Sequence, residues 1–480
     1  MLILPPEFNP HDYQGSAIQF GAPKPRFNLL MSPGMGKTAC SIMIMEIRSL
    51  VADSYPALAI GPLRVANSVW NREVGKWAQF KGIRVSKILG SLDERIKAIN
   101  TPAEIYTIHY GLLTWLHKYL EENGKPWPFK TVIADESTRL KHARPSFRKH
   151  KKTGKVSLYI AGSVNAGALA RYAPRTPYWI NMTGTNTPNG LQDAWGQQWY
   201  IDFGEALGNS YDAFTKRWFY QRRGTSAEQA VFEPHAHAMD EITRRLKPTT
   251  ISLDAYDYFD VAKPREVDIE VELPEKHMKA YRKLHREAVL KLENEKVITA
   301  VNAGAITNKC LQYASGNIYD EDRVSHHIHD EKLDALDSLH ISLGGAPLLV
   351  GYHFIPTREA ILKRFPFARL LPSDGRQKAV EDAWNEGRIP MLVVHPASAG
   401  HGLDLQHGGH NLCIVDPYWD FEMYAQLIER IGPVRQKQAG YDRLVSVYRL
   451  RTKNTFDGVV IDRLSTKASV ESAVREAMKL

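Results

Sequence analysis

Short, mostly apolar runs punctuate the first half of the chain at residues 27–31, 57–62, 105–110, 130–134 and 179–182. Such runs, bounded by turn residues and without polar alternation, predict strands buried on both faces, as in a parallel sheet. Helical periods lie between them. TACSIMIMEI from Thr38 predicts a helix, and LRVANSVWNREVGKW brings Val65, Val69, Val74 and Trp77 to or near one face. Residues 191–220, rich in Trp and Tyr, predict a helical core segment. The rhythm returns in the second half, with strands expected at 347–352, 390–395 and 412–415. Between the halves, LDAYDYFDVAKPREVDIEVELPEK reads as alternating strands, and residues 276–301 as a long charged helix. A strand–helix alternation that occurs twice predicts an α/β fold of two parallel-sheet lobes in tandem. The expected divisions are a first lobe at 1–255, linker strands and a helical protrusion at 256–330, a second lobe at 331–450 and a C-terminal segment at 451–480.

The turn after the first strand changes the picture from fold to chemistry. Pro33-Gly34-Met35-Gly36-Lys37-Thr38 stands between a strand and a helix, where glycines let backbone N–H groups close around phosphate oxygens. Lys37 is expected to reach the β- and γ-phosphates, and the Thr38 hydroxyl to ligate Mg²⁺. Upstream, the Gln14 amide is a candidate for bonding an adenine edge, against the plain alternative of a solvent-facing helical glutamine. The fourth strand ends in Asp135-Glu136-Ser137-Thr138. Asp135 is expected to hold Mg²⁺ through water, and Glu136 to orient or deprotonate the attacking water. The turn TGTNTPN at 183–189 follows a strand and offers small hydroxyl residues to a neighbouring phosphate or acid.

Charge adds a partner. The chain of 480 residues carries a formal net charge of +9, which favours an anionic partner, with nucleic acid first. The stretch KHARPSFRKHKKTGKVSLY contains Arg144, Arg148, Lys149, Lys151, Lys152 and Lys155, with Thr153-Gly154 as the expected turn of a hairpin in a basic insert near 142–177. Three distant cysteines argue against a disulfide framework and suit a reducing, cytoplasmic compartment. The opening MLILPPEF lacks a basic n-region and a long apolar core, so no signal peptide is expected, and no apolar run approaches the length that spans a bilayer, so no membrane association is expected either.

Taken in order, these motifs resemble those of the Swi/Snf-like branch of superfamily 2 nucleic-acid motors. DYQ at 12–14 is similar to the adenine-reading motif, SPGMGKT to motif I, GPLRVANSVWNREVGKW to the Ia region, and DESTRLKH to the acid motif with its Arg-Leu-Lys string. TGTNTPN is similar to motif III, with Asn186 where the family has proline. LLVGYHF resembles motif IV, and ASAGHGLDLQ with IVDPYWDFEMYAQLIER resembles motifs V and VI. The tail VYRLRTKNTFDGVVIDRLSTK resembles the family's brace helix. The compact form resembles bacteriophage and bacterial members, for which host cytoplasm is the expected location.

The resemblance implies two RecA-like lobes, ATP and Mg²⁺ as cofactors, and double-stranded DNA as partner. Further phage or host replication and recombination proteins are expected partners as well. It implies a DNA-dependent ATPase that translocates on duplex DNA; the alternatives are a strand-separating helicase on forks or RNA, or a nucleotide-gated DNA-binding module with low turnover. Candidates for the DNA face are Arg64, Asn67, His109, Tyr110, Arg139, Lys141, Lys149, Lys151 and Ser398. From the second lobe, Gln426 and Arg430 are expected near the γ-phosphate. They stand four residues apart, hence on one face of a helix beginning near Glu422. Where the family has its second arginine this chain has Pro433. Gly432-Pro433 is expected to end the helix and leave Arg435 on a loop, as a displaced second arginine.

Overall fold

The structure is a computed structural model that describes residues 6–150, 152–222, 231–294, 300–320, 322–374, 376–399 and 403–478. It divides into two compact units, one of residues 1–220, 232–258 and 469–480, the other of residues 221–231 and 259–468.

The first unit is built on a seven-stranded parallel sheet. Its order is Thr250–Leu253, Arg26–Met31, Tyr178–Thr183, Thr131–Asp135, Ala57–Gly61, Ile105–His109 and Val85–Ile88. The five apolar runs are thus five of its strands, and their residues are almost all buried. Burial on both faces is why they carry no polar alternation. One polar network crosses this interior. Asn28 Nδ2 donates to Gln198 Oε1 at 2.8 Å and to Thr250 Oγ1 at 3.0 Å, while Asn181 Nδ2 donates to Asn28 Oδ1 at 2.9 Å. It ties three adjacent strands to the helix Asp193–Asp202 through side chains that are all paired.

The aromatic segment is buried as expected but is not one helix. It forms Asp193–Asp202 and Tyr211–Trp218, separated where Phe203 takes φ 58° and Gly204 and Gly208 are also left-handed. The break lets Trp195, Trp199, Tyr200 and Trp218 enter one core. The predicted helix after the second strand begins as a π-helical turn, Val65–Val69, and continues as Trp70–Lys76.

In the second unit a six-stranded parallel sheet has the order Arg265–Val271, Ser446–Thr452, Asn411–Ile414, Leu348–Gly351, Met391–Val394 and Arg369–Leu370. Its first strand lies in the stretch expected to be linker. Residues 254–264, read as strand, hold the 3-10 turn Ala255–Asp257 instead, because Asp254 caps it by accepting from the Tyr256 N–H at 3.2 Å. The long charged helix is Glu275–Asn294, followed by Ala300–Ala314; the predicted stretch 295–299 lies outside the described residues. A buried ion pair, Lys332 Nζ to Asp457 Oδ2 at 2.7 Å, joins the start of helix Glu331–Ser342 to that of Phe456–Ala477. Lys332 also donates to Val415 O at 2.8 Å, so its buried charge has the company it needs. Among the described residues no helix is long and apolar enough to cross a membrane.

Candidate functional site

In the first unit, the glycine-containing loop 33–38 expected to bind phosphate, the acid pair and the hydroxyl turn all stand at or after the carboxyl ends of strands in one parallel sheet, where ligands of open α/β sheets bind. The loop leaves Arg26–Met31 and enters the helix Lys37–Ser49. Gly34 and Gly36 both take φ 82°, a region that suits glycine alone without strain. At Gly36 there is a second reason for glycine: a Cβ would lie 2.6 Å from Gln14 Nε2.

Gln14 is itself buried against the loop. Its Nε2 donates to Met35 O at 3.0 Å, and its Oε1 accepts from the His11 N–H at 2.9 Å. Each amide end keeps further bonding capacity for a base edge. Lys37 Nζ donates to Met31 O at 2.9 Å and Ser32 O at 3.5 Å, folded back onto the strand that precedes the loop. Pro33 and Thr38 are half-buried, and Met35 is fully buried beneath the loop.

Asp135 ends the strand Thr131–Asp135 and is buried. Burial pushes its carboxyl pKa up, opposed by the Lys37 ammonium and by the Glu136 N–H that it accepts at 3.1 Å. A carboxylate withdrawn from water beside a lysine fits the demand for a cation and a phosphate together. Glu136 is left-handed at φ 55° and ψ 56°. The acid strand is not the immediate neighbour of the loop strand: Tyr178–Thr183 lies between them. That places the turn after Thr183 between loop and acids, with Gly184 close against Pro33.

Gln197 joins the acid motif to the hydroxyl turn, accepting from Ser137 Oγ at 2.9 Å and donating to Asn186 O at 2.8 Å. Sequence reasoning passed over it as one more polar residue of a core helix.

The DNA-face candidates divide. Arg64 precedes the π-helical turn and Asn67 sits on it, the turn being held to a neighbouring strand by Thr107 Oγ1 donating to Ala66 O at 2.7 Å. His109 ends its strand, and burial and Arg139 both depress its pKa. Tyr110 is buried, its hydroxyl donating to Asp135 O at 2.8 Å, so in this structure it buttresses the acid. Arg139 is exposed. Lys141 is mostly buried and lies 3.6 Å from Asp193. Ser398 is half-buried in the turn Pro396–Ala399 of the second unit.

The basic insert is the expected hairpin, Ala143–Lys149 against Val156–Gly162, with Gly154 left-handed in its turn. Its root is fastened. Arg144 stacks over Tyr211 at 3.6 Å and donates to Lys141 O at 2.6 Å, and Phe147 stacks on Trp199. Arg144 is thereby spent on structure. Beyond Phe147, Arg148, Lys149, Lys152 and Lys155 are exposed. A cavity of about 420 Å³ there is lined by Arg148, Lys149, His150, Lys152 and Ser157. Lys151 lies outside the described residues. From 137 to 192 the chain has ten Lys and Arg and no Asp or Glu, so the excess charge is concentrated here.

In the second unit Gln426 and Arg430 share the helix Phe421–Glu429 and its C-cap, and Arg430 Nε donates to Gln426 O at 3.2 Å. Arg435 is not on a loop. Pro433 opens a new helix, Pro433–Gln438, since proline at the first helical position forfeits no hydrogen bond. Arg430 and Arg435 both donate to Leu403 O at 3.3 Å, and Arg435 pairs with Asp404 at 2.6 Å.

No family model matches the chain. A curated relative named Putative protein p41, of Acyrthosiphon pisum secondary endosymbiont phage 1, is 43% identical over 476 residues, 98% of this chain and 99% of that protein. The chain belongs to that phage protein's family. Among solved structures, the Sulfolobus solfataricus SWI2/SNF2 ATPase core in complex with dsDNA is similar at 17% identity and TM-score 0.42, covering 100% of this chain and 95% of that one.

Proposed function

We propose that the chain is a DNA-dependent ATPase of the Swi/Snf-like kind that translocates on duplex DNA. The observation that carries this reading is the set of strand ends around Lys37: a loop with two left-handed glycines, a lysine held on carbonyls, and a buried carboxylate within its field. Lys37 exchanges Met31 O for phosphate oxygens when ATP binds, and Gln14 meets the adenine edge. Thr38, and Asp135 through water, would hold Mg²⁺, which would neutralise charge on the phosphate oxygens. Glu136 orients or deprotonates the attacking water. Gln426, Arg430 and Arg435 serve the same reaction from the second unit, the arginines by stabilising transition-state charge.

Duplex DNA is held mainly through its phosphates. Arg64, Asn67, His109 and Arg139 lie at or after strand ends of the first unit, and Lys149 with its hairpin neighbours adds an exposed cationic ribbon. That ribbon also favours a second reading, a helicase in which it acts as a wedge. ATPase activity with duplex DNA, single-stranded DNA, RNA and no nucleic acid tests both readings. Duplex DNA should stimulate most, and triplex displacement should occur without unwinding of a forked duplex. Efficient fork unwinding, or stimulation by RNA alone, overturns the translocase reading in favour of the helicase.

A further inference from the structure

The C-terminal residues 469–480 group with the first unit, and Val474 and Met478 are buried in its core. Between them Arg475 turns toward the phosphate-loop strand. Its Nη1 donates to Ser32 Oγ at 2.8 Å and its Nη2 to Gly184 O at 2.8 Å, with the Asp254 carboxylate 3.7 Å away. Ser32 is the residue through which the strand Arg26–Met31 passes into the loop. Its Oγ donates to Asp254 Oδ1 at 3.3 Å and also accepts from the Ala255 N–H at 3.1 Å. Its carbonyl faces the other way, accepting from the Met35 N–H at 3.4 Å and Lys37 Nζ at 3.5 Å. Gly184 opens the hydroxyl turn on the adjacent strand.

One guanidinium therefore clamps the exits of two neighbouring strands, one leading to the phosphate loop and one to the turn beside it. The two donors diverge from a planar fork, a geometry that a lysine ammonium does not reproduce. We propose that Arg475 is a positioning residue for nucleotide binding, holding the entry of the phosphate loop in register with the hydroxyl turn. This rests on the ATP-site reading above. Arg475 acts through Ser32 and Gly184, and the end of the chain is thus part of the ATP-binding unit.

The test compares Arg475→Ala and Arg475→Lys with Val474→Ala in the full chain. Val474→Ala loosens the same segment without touching the fork. Binding of a fluorescent ADP analogue, the ATP dependence of turnover on saturating duplex DNA and thermal unfolding are measured for each. Both Arg475 variants should weaken ADP binding and raise KM for ATP about tenfold, with kcat changed much less, the pattern of lost uniform binding. Val474→Ala should lower the unfolding temperature and leave KM for ATP unchanged. If wild type binds nucleotide and both Arg475 variants match it, the inference is overturned alone. A rise in KM as large in Val474→Ala also overturns it, because segment docking then explains the effect. A wild type that binds no nucleotide overturns the ATP reading and the inference together.

Discussion

Glu136 sits at φ 55° and ψ 56°, a left-handed conformation that costs an ordinary L-residue about 1–2 kcal/mol. The strain is held by its surroundings: Ser137 is tied to Gln197, and the Tyr110 hydroxyl to the Asp135 carbonyl. Strain kept at one acidic side chain points to a functional demand at that position. Two substitutions separate chemistry from conformation. Glu136→Gln should retain ATP and DNA binding while losing turnover; normal turnover removes the assignment of Glu136. Glu136→Gly should also lose turnover, yet unfold at an equal or higher urea concentration, because glycine adopts this φ without strain. The arginines of the second unit give a different signature. Arg430 and Arg435 converge on Leu403 O, and Asp404 holds Arg435 in place. Arg435→Ala should lower turnover on saturating DNA while leaving ATP affinity nearly unchanged, as for a group that stabilises only the transition state. Wild-type turnover in that variant leaves Arg430 to act alone.

Among the elements, the hairpin differs from the sheets it accompanies. The central strands of both sheets are buried on two faces, whereas the ribbon beyond Phe147 and Leu158 is exposed and cationic. Its lysines and Arg148, which lies over the Tyr159 ring at 3.6 Å, accordingly face outward toward an external anion, while Arg144 and Lys141 at its root are engaged within the fold. Replacing Arg148, Lys149, Lys152 and Lys155 by Gln should weaken DNA binding across all sequences. If all four side chains neutralise phosphates, the slope of log affinity against log salt should fall by about 3–4, at about 0.9 for each phosphate left without its cation. Turnover at saturating DNA should be retained. Titrations at several salt concentrations measure the slope, and an unchanged slope returns the ribbon to plain surface. The helix Pro433–Gln438 makes a related point about local rules. Proline stops one helix and starts the next, and which of the two an isolated Pro signals depends on whether the residues after it can continue a helix.

At the scale of the whole molecule, one buried histidine ties stability to acid. His329, in the second unit, is buried, its Nε2 at 2.9 Å from Tyr313 O and its Nδ1 without a hydrogen-bond partner among the described residues. Burial, with His277 and Lys332 nearby, depresses its pKa to about 4. The folded form therefore disfavours the proton that the unfolded chain accepts near pH 6.5, and stability is lost as pH falls from about 6.5 toward about 4. Urea unfolding across that range should show the loss, and His329→Gln should flatten it; an unaltered pH dependence assigns the acid sensitivity elsewhere. The buried strands, the left-handed glycine loop, the acid pair at its strand end and the cationic hairpin were legible in the sequence. Each rests on a local rule: an apolar run, a glycine that must be left-handed, a carboxylate at a strand end, or a charge run with nothing to bury. What tertiary structure alone decided are the partners. Asn28 meets Asn181 across 153 positions, Ser137 meets Gln197 across 60, and Arg475 meets Ser32 across 443. A single arginine in a C-terminal helix carries no local sign of such a role. Chain order sets which residues are neighbours along the backbone, but only the parallel sheet, which aligns distant strands end to end, sets which ones face each other.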